Sequence, residues 1–311
     1  MIKVISIINN KGGVGKTTTS INLAAGLART KRVLLVDMDS QASASLALGI
    51  ERAKLRPSIA HVLYGEVPIR RAILQTHIPR LHLITGSLDL ADADLCLAEQ
   101  SGRESVLRRT IEEVMDEYDV ILMDCPPSTS LLSVNILVAA DAFIIPLSPS
   151  YLALEGLVSL GEVVTQVRMN LGRVAPVLGV IMTMVNPENE SHGEIEQQVR
   201  GHYGSKVFQT MIRKDDTLSD SPGLGQTIFE YAPESQGAQD YMALVGEVTE
   251  RIDRYAAVFA QLNGGARPAT PSQTPSSQTT SPQAHGGPAH SDPASARGDG
   301  ASAPVSATSA S

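Results

Sequence analysis

One short run constrains this chain more than any other: Gly12-Gly13-Val14-Gly15-Lys16-Thr17, lying between the apolar run Ile2–Ile8 and a helical stretch from Lys16 to Arg29. Glycines permit the tight strand-to-helix turn that such an order demands. In a turn of this kind the backbone N–H groups point inward, and the helix N-terminus adds positive potential, so the loop suits a phosphate group. Read from Asn10, the loop is Asn-Lys-Gly-Gly-Val-Gly-Lys-Thr, with Asn10 where the common phosphate-loop pattern begins with glycine. Lys16 is spaced to reach the β- and γ-phosphates of a nucleotide, and the Thr17 hydroxyl to bind Mg²⁺. A ligand-free glycine turn is the bland alternative. Strand, glycines, lysine and threonine standing in register argue against it.

The rest of the chain repeats the strand–helix alternation. Ile2–Ile8, Val33–Val36, Leu81–Ile84, Val120–Met123, Phe143–Ile145 and Val177–Met184 read as buried strands. Near-continuous apolar runs indicate strands covered on both faces, as in a parallel sheet. Lys16–Arg29, Ser105–Glu117 and Leu152–Leu171 have helical length and spacing. The pattern predicts a doubly wound α/β fold, a mostly parallel sheet with helices on both faces. Near its end, Tyr241, Val245, Val248, Ile252, Tyr255, Phe259 and Leu262 recur as one helical stripe, with Glu247, Glu250, Arg251 and Arg254 expected outside it.

Composition divides the chain. From Asn263 onward it is Pro, Ser, Thr, Ala, Gly and Gln without an aromatic residue. Such a segment cannot bury enough apolar surface to offset its ordering entropy. The expectation is a folded domain over 1–262 and a disordered tail over 263–311. The formal net charge is -8, and in the tail Arg267 and Arg297 balance Asp292 and Asp299, so the folded part is acidic. That balance does not favour nucleic acid, although a local basic patch can still bind it. Two cysteines, Cys96 and Cys125, fit a reducing compartment and exclude a disulfide scaffold. No secretory signal opens the chain, and the apolar stretch Leu131–Pro149 is broken by Asn135, Asp141 and Pro146. A cytoplasmic protein is expected.

Lys11 adds a second lysine to the loop. The form KGGVGKTT resembles the deviant phosphate loop of the ParA/MinD family of P-loop NTPases. Further matches run through most of residues 1–255. Arg32–Ser45, RVLLVDMDSQASAS, is similar to that family's element after the second strand, with Ser40 in place of the usual proline. Val120–Asp124 followed by Cys125-Pro126-Pro127-Ser128 looks like its metal-site strand, and Ala153-Leu154-Glu155-Gly156 like its short helix start. The resemblance implies an ATP- and Mg²⁺-dependent ATPase. Lys11, Gly12, Gly13, Val14, Gly15, Lys16, Thr17 and Thr18 would cradle the nucleotide, with Arg213 and Asp215 beside the base. Thr17 and Asp124 would hold the metal. Lys16 and Asp39 would act in catalysis, Asp39 at the attacking water and Asp37 beside it on the same strand. Lys11 would cross to the nucleotide of a partner subunit in an ATP-dependent homodimer.

The implied function is ATP-driven partition of DNA or positioning of a cargo, stimulated by a ParB-like activator with a basic segment. The implied location is the cytoplasm, with nucleoid association where DNA is bound. Residues and resemblance part company over nonspecific DNA. Thr217, Glu234 and Gln236 stand where the family carries arginines, and only Lys206, Arg213 and Lys214 are left as a basic patch. The alternative is an ATP-gated regulatory or polar scaffold of the same family without nucleoid binding. A membrane-anchored relative would end in an amphipathic helix, which the Ser/Pro-rich end does not supply. A cysteine-bridged iron–sulfur dimer rests on cysteine count alone, a weak metal signal.

Overall fold

The structure, a computed structural model, describes residues 2–127, 130–171 and 175–264. The tail expected over 263–311 lies, beyond Gly264, outside the described residues. Eight strands form one sheet: β1 Val4–Ile7, β2 Val33–Asp37, β3 Ile73–Gln75, β4 Leu81–Ile84, β5 Val120–Asp124, β6 Ala142–Leu147, β7 Val177–Val185 and β8 Val207–Arg213, in the order β3-β4-β2-β5-β1-β6-β7-β8. Only the β3–β4 pair is antiparallel. Every residue of β1, β2, β5 and β6 is buried, as expected of strands covered on both sides. Successive residues feed opposite cores. Val4, Leu34, Val36 and Ile121 pack with the helices Val106–Glu112 and Leu131–Ala139, whereas Ile5, Ile7, Leu35 and Leu122 pack against the helix Lys16–Ala28 and the last helix, Gln236–Gly264. The sheet is doubly wound and mostly parallel, as its sequence pattern predicts.

The parallel strands put their carboxyl ends along one edge, the usual place for a ligand in such sheets. Register brings Ile7, at the end of β1, opposite Asp124, and Asp37, at the end of β2, opposite the same Asp124. Among the described residues no helix is long and apolar enough to cross a membrane.

Two strands escape the sequence reading. β3 has three residues and no full apolar run, and β8 interrupts its pattern with Gln209 and Thr210 at the sheet edge. The last helix also needs correction. Tyr241, Val248 and Ile252 are buried and Val245 and Tyr255 partly so, while the side chains of Phe259 and Leu262 lie outside the described residues. Glu247 and Arg251, however, do not stand outside the stripe. The Glu247 carboxylate accepts the N–H groups of Gln209 and Thr210, both at 3.0 Å, and so satisfies donors of the edge strand. Arg251 donates to the carbonyls of Leu178, Lys206 and Val207 and lies 3.9 Å over the Phe208 ring. Burial of these two charges is tolerable because each is paired and hydrogen-bonded, including to one another at 2.9 Å.

Arg251→Met keeps the aliphatic stem, takes one donor from each of those carbonyls and leaves Glu247 without its cation. It is expected to destabilise the protein by about 2–4 kcal/mol in urea unfolding. Combined with Glu247→Gln, the loss should fall short of the sum of the two single losses, since both residues belong to one network.

Candidate functional site

The glycine loop leaves β1 at the carboxyl edge and enters the helix Lys16–Ala28. Gly13 and Gly15 have φ of 73° and 79°, the left-handed region that favours glycine, and these two residues turn the chain into the helix. Gly12 and Gly13 are exposed, and a Cβ on either would meet nothing within 4 Å, so the loop presents an open backbone cradle. Two neighbouring strands brace it. Asn9, buried, donates from Nδ2 to the Pro146 carbonyl at 2.7 Å and accepts the Lys11 N–H on Oδ1 at 3.0 Å. Thr183, at the end of β7, donates to the Val14 carbonyl at 3.0 Å. The Val14 side chain is buried, so this residue can meet a ligand only through its backbone.

Lys16 arches back over the loop, its Nζ 2.7 Å from the Lys11 carbonyl, with 7% of the residue exposed. Burial lowers its pKa, opposed by Asp124, Cys125 and Asp39. The next residue, Thr17, donates from Oγ1 to Asp124 Oδ2 at 2.8 Å, and one turn on Ser20 Oγ donates to Asp124 Oδ1 at 2.7 Å. Ser20 is a site residue missing from the sequence reading. Its position three residues after Thr17, on the same helix face, was the available signal. Asp124 is buried, and burial together with Asp37 opposite pushes its carboxyl up to about 7. Cys125 is buried with its Sγ 3.4 Å from the Met123 carbonyl, and burial raises its pKa. An inert thiol is the result.

Asp37 and Asp39 stay side by side but differ in burial and in their further partners. Asp37 is fully buried and accepts the Ser45 N–H at 2.8 Å and the Ser45 hydroxyl at 2.7 Å, fixing the start of the helix Ser43–Ala47. Burial pushes it up to about 6 against those hydrogen bonds. Asp37 therefore supports the turn while staying beside Asp39, whose N–H it accepts at 3.2 Å. Asp39 is half-buried and accepts the Gln41 N–H at 2.9 Å on one oxygen. At the end of β4, Gly86 allows this packing, since a Cβ there would collide with the Asp39 carbonyl and stand 3.0 Å from the Asp37 carboxyl.

Beside the loop lies a cavity of about 310 Å³ whose lining includes Gly15, Thr18, Met184, Arg213, Asp215 and Tyr241. The two residues expected beside a base thus share one cavity with the loop. Both side chains are already engaged. Arg213 pairs with Asp240 at 2.5 Å, and Asp215 accepts from Thr217 and from the Gly237 N–H at 2.7 Å. Burial raises the Asp215 pKa, but these donors outweigh it and hold the group below its ordinary value. Of the basic patch, Lys206 donates to the Val177 carbonyl at 2.9 Å, and Lys214 is exposed. Lys11 is half-buried and lies along Gly156 of its own chain. Ser128 and the side chains of 151–155 lie outside the described residues.

These residues fit a nucleotide with its metal. An open N–H cradle, a desolvated lysine and a hydroxyl–carboxylate pair converge at one edge. Thr17 and Asp124 would hold Mg²⁺, which supplies charge neutralisation at the phosphates. Among the described residues no group of three or more His, Cys, Asp or Glu side chains could hold a metal by itself.

Comparison with known proteins agrees in kind. Residues 2–174 match the model of an AAA domain. The chain is 40% identical over 249 residues to the sporulation initiation inhibitor protein Soj of Bacillus subtilis, covering 80% of this chain and 98% of that protein. It is 38% identical over 253 residues to the chromosome partitioning protein ParA of Caulobacter vibrioides, covering 80% and 95%. Among solved structures, cobyrinic acid a,c-diamide synthase from Mycobacterium smegmatis, with a bound ATP analogue and magnesium, aligns with a TM-score of 0.69 at 28% identity, covering 86% of this chain and 98% of that one.

The buried carboxylates generate a pH prediction. Asp37 and Asp124 have folded-state pKa values raised above those of the unfolded chain, to about 6 and about 7. The folded state then binds more protons, so this contribution is full below the unfolded carboxylate pKa and is lost as pH rises through 6 to 7. Asp124→Asn, neutral at every pH, should melt higher than the parent at pH 8 without magnesium. The advantage should shrink at pH 5. Thermal melts in chelator at the two pH values measure it.

Proposed function

The chain belongs to the ParA/MinD family of P-loop ATPases, and from that premise we propose that it is a partition or positioning ATPase that dimerises on ATP. The observation that carries the reading is the Thr17–Asp124 hydrogen bond, 2.8 Å long, at the foot of an open phosphate cradle. The pair joins a potential metal ligand on the loop helix to a carboxylate on β5, as a Mg²⁺-dependent phosphoryl-transfer site requires. Lys16 would neutralise charge on the phosphates. Asp39, half-buried with one oxygen held by Gln41, would orient the attacking water. Lys11 would stabilise the phosphates of the partner subunit's nucleotide, which ties dimer formation to ATP.

Slow turnover follows if the catalytic constellation is complete only in the dimer. The acidic surface suits an activator with a short basic segment, since complementary charge raises encounter rate and fixes orientation. In this reading the protein works in the cytoplasm as a timing switch, with ATP setting the dimer and the activator ending it.

A second reading, an ATP-gated scaffold without nucleoid DNA, draws support from the same cations. Arg213 is committed to Asp240 and Lys206 to the Val177 carbonyl, and Lys214 is the exposed member of the patch. Few phosphate contacts mean weak, salt-sensitive binding, with a slope of about -0.9 per phosphate on duplex DNA.

Two measurements test these readings. Sedimentation with ATP and Mg²⁺ should show a dimer, absent with ADP, while turnover without activator stays below about 1 per second. Asp39→Ala should keep ATP binding and lose single-turnover hydrolysis. A protein that binds ATP yet stays monomeric under all nucleotide conditions removes the reading. Separately, the ATP-locked dimer should shift duplex DNA only at low salt and not after Lys214→Glu. No shift at low salt leaves the scaffold.

A further inference from the structure

We propose that Gly156 is a positioning residue for Lys11: it forms a slot on the helix Tyr151–Leu171 in which the lysine is parked within its own subunit. The inference rests on the proposed trans role of Lys11 and adds what holds that lysine before a partner arrives. A Cβ built on Gly156 would stand 3.3 Å from Lys11 Cε and 3.4 Å from both Cδ and Cγ. Three successive methylenes therefore lie flat on the helix backbone where any other residue would project. Contacts as tight as these force a neighbour to give way, and the free-swinging lysine stem is the part that can move.

The backbone of Lys11, by contrast, is pinned. Its N–H is held by Asn9 Oδ1 at 3.0 Å and its carbonyl by Lys16 Nζ at 2.7 Å. The loop is fixed and the side chain is the moving part. Lys11 is half-buried, and its stem lies over a wall of the kind long cationic side chains cover. A lysine parked in its own subunit cannot reach across a two-fold interface. Release from Gly156 is then a step that precedes, or is driven by, engagement of the partner's phosphates.

Amine acylation read residue by residue by mass spectrometry tests this on the full chain without nucleotide. In the parent, Lys11 should react severalfold more slowly than exposed Lys54 and Lys214, a comparison that requires no variant. Gly156→Ala should speed acylation of Lys11 by about three- to tenfold, the latter corresponding to about 1.4 kcal/mol, and leave Lys54 and Lys214 unchanged. Gly156→Ser should act in the same direction. Equal Lys11 reactivity in parent and variants, or parent Lys11 reacting as fast as Lys54, overturns the proposal. Sedimentation of the parent with ATP keeps the two claims apart: a permanent monomer defeats the dimer reading, whereas the labelling pattern alone decides the parking of Lys11.

Discussion

Everything at the carboxyl edge of the sheet is arranged around one buried carboxylate. Asp124 ends the central strand β5, lies in register with Ile7 on one side and Asp37 on the other, and is held by Thr17 and Ser20 from the loop helix. A carboxylate with 1% exposure costs a great deal unless it is paired or hydrogen-bonded. Here two hydroxyls supply the hydrogen bonds, and among the described residues no cation is ion-paired to it. A bound divalent cation would complete what the hydroxyls begin, since a metal is usually the largest local charge in such a site and inverts the pKa pressure on its ligands. The raised pKa is thus the electrostatic counterpart of a place prepared for a metal.

The loop depends on the same frame. Its glycines give the turn, but their placement comes from β6 and β7, through Pro146 on Asn9 and Thr183 on Val14. A cradle made of backbone alone needs such bracing, because its donors must be aimed before the ligand arrives if they are to stabilise developing charge without reorganising. The parallel order supplies it: β6 and β7 follow β1 across the sheet, so both end where the loop begins.

The sequence made this much legible for a plain physical reason. Strands buried on both faces leave continuous apolar runs, and a glycine turn before a helix leaves an unmistakable loop, so six strands and the cradle could be read directly. What stayed hidden was held by tertiary contact. β8 lacks the apolar run because Gln209 and Thr210 sit on the sheet edge, where a carboxylate from a distant helix takes up their N–H groups. Helical periodicity assigned Glu247 and Arg251 to the solvent face, and no local pattern could have placed them on the edge of β7 and β8. Asp37 ends β2 and Asp39 lies beyond it, so the hydrogen bonds of Asp37 to Ser45 and to the Asp39 N–H are set by the turn and not by any strand pattern.

In this state the site satisfies its own groups. Lys16 rests on the Lys11 carbonyl, Thr17 on Asp124, and the Lys11 stem on Gly156. In the proposed function the two lysine contacts would have to be exchanged, not merely added to, whereas the Thr17 oxygen can meet a metal through a lone pair while its O–H stays on Asp124. The free energy of binding is then a difference between two well-made arrangements, and modest changes on either side can move the balance. That is the physical setting of a switch: a lysine with no internal partner would favour the nucleotide-bound form at all times, whereas one with a good internal partner yields only when the phosphates offer a better one. The same reasoning reaches the cavity beside the loop, where Arg213 and Asp215 are already tied to Asp240, Thr217 and Gly237. Groups so committed shape the wall and leave recognition to the backbone and to whatever hydrogen-bonding capacity remains, so the selectivity of this site would come more from its form than from its charges.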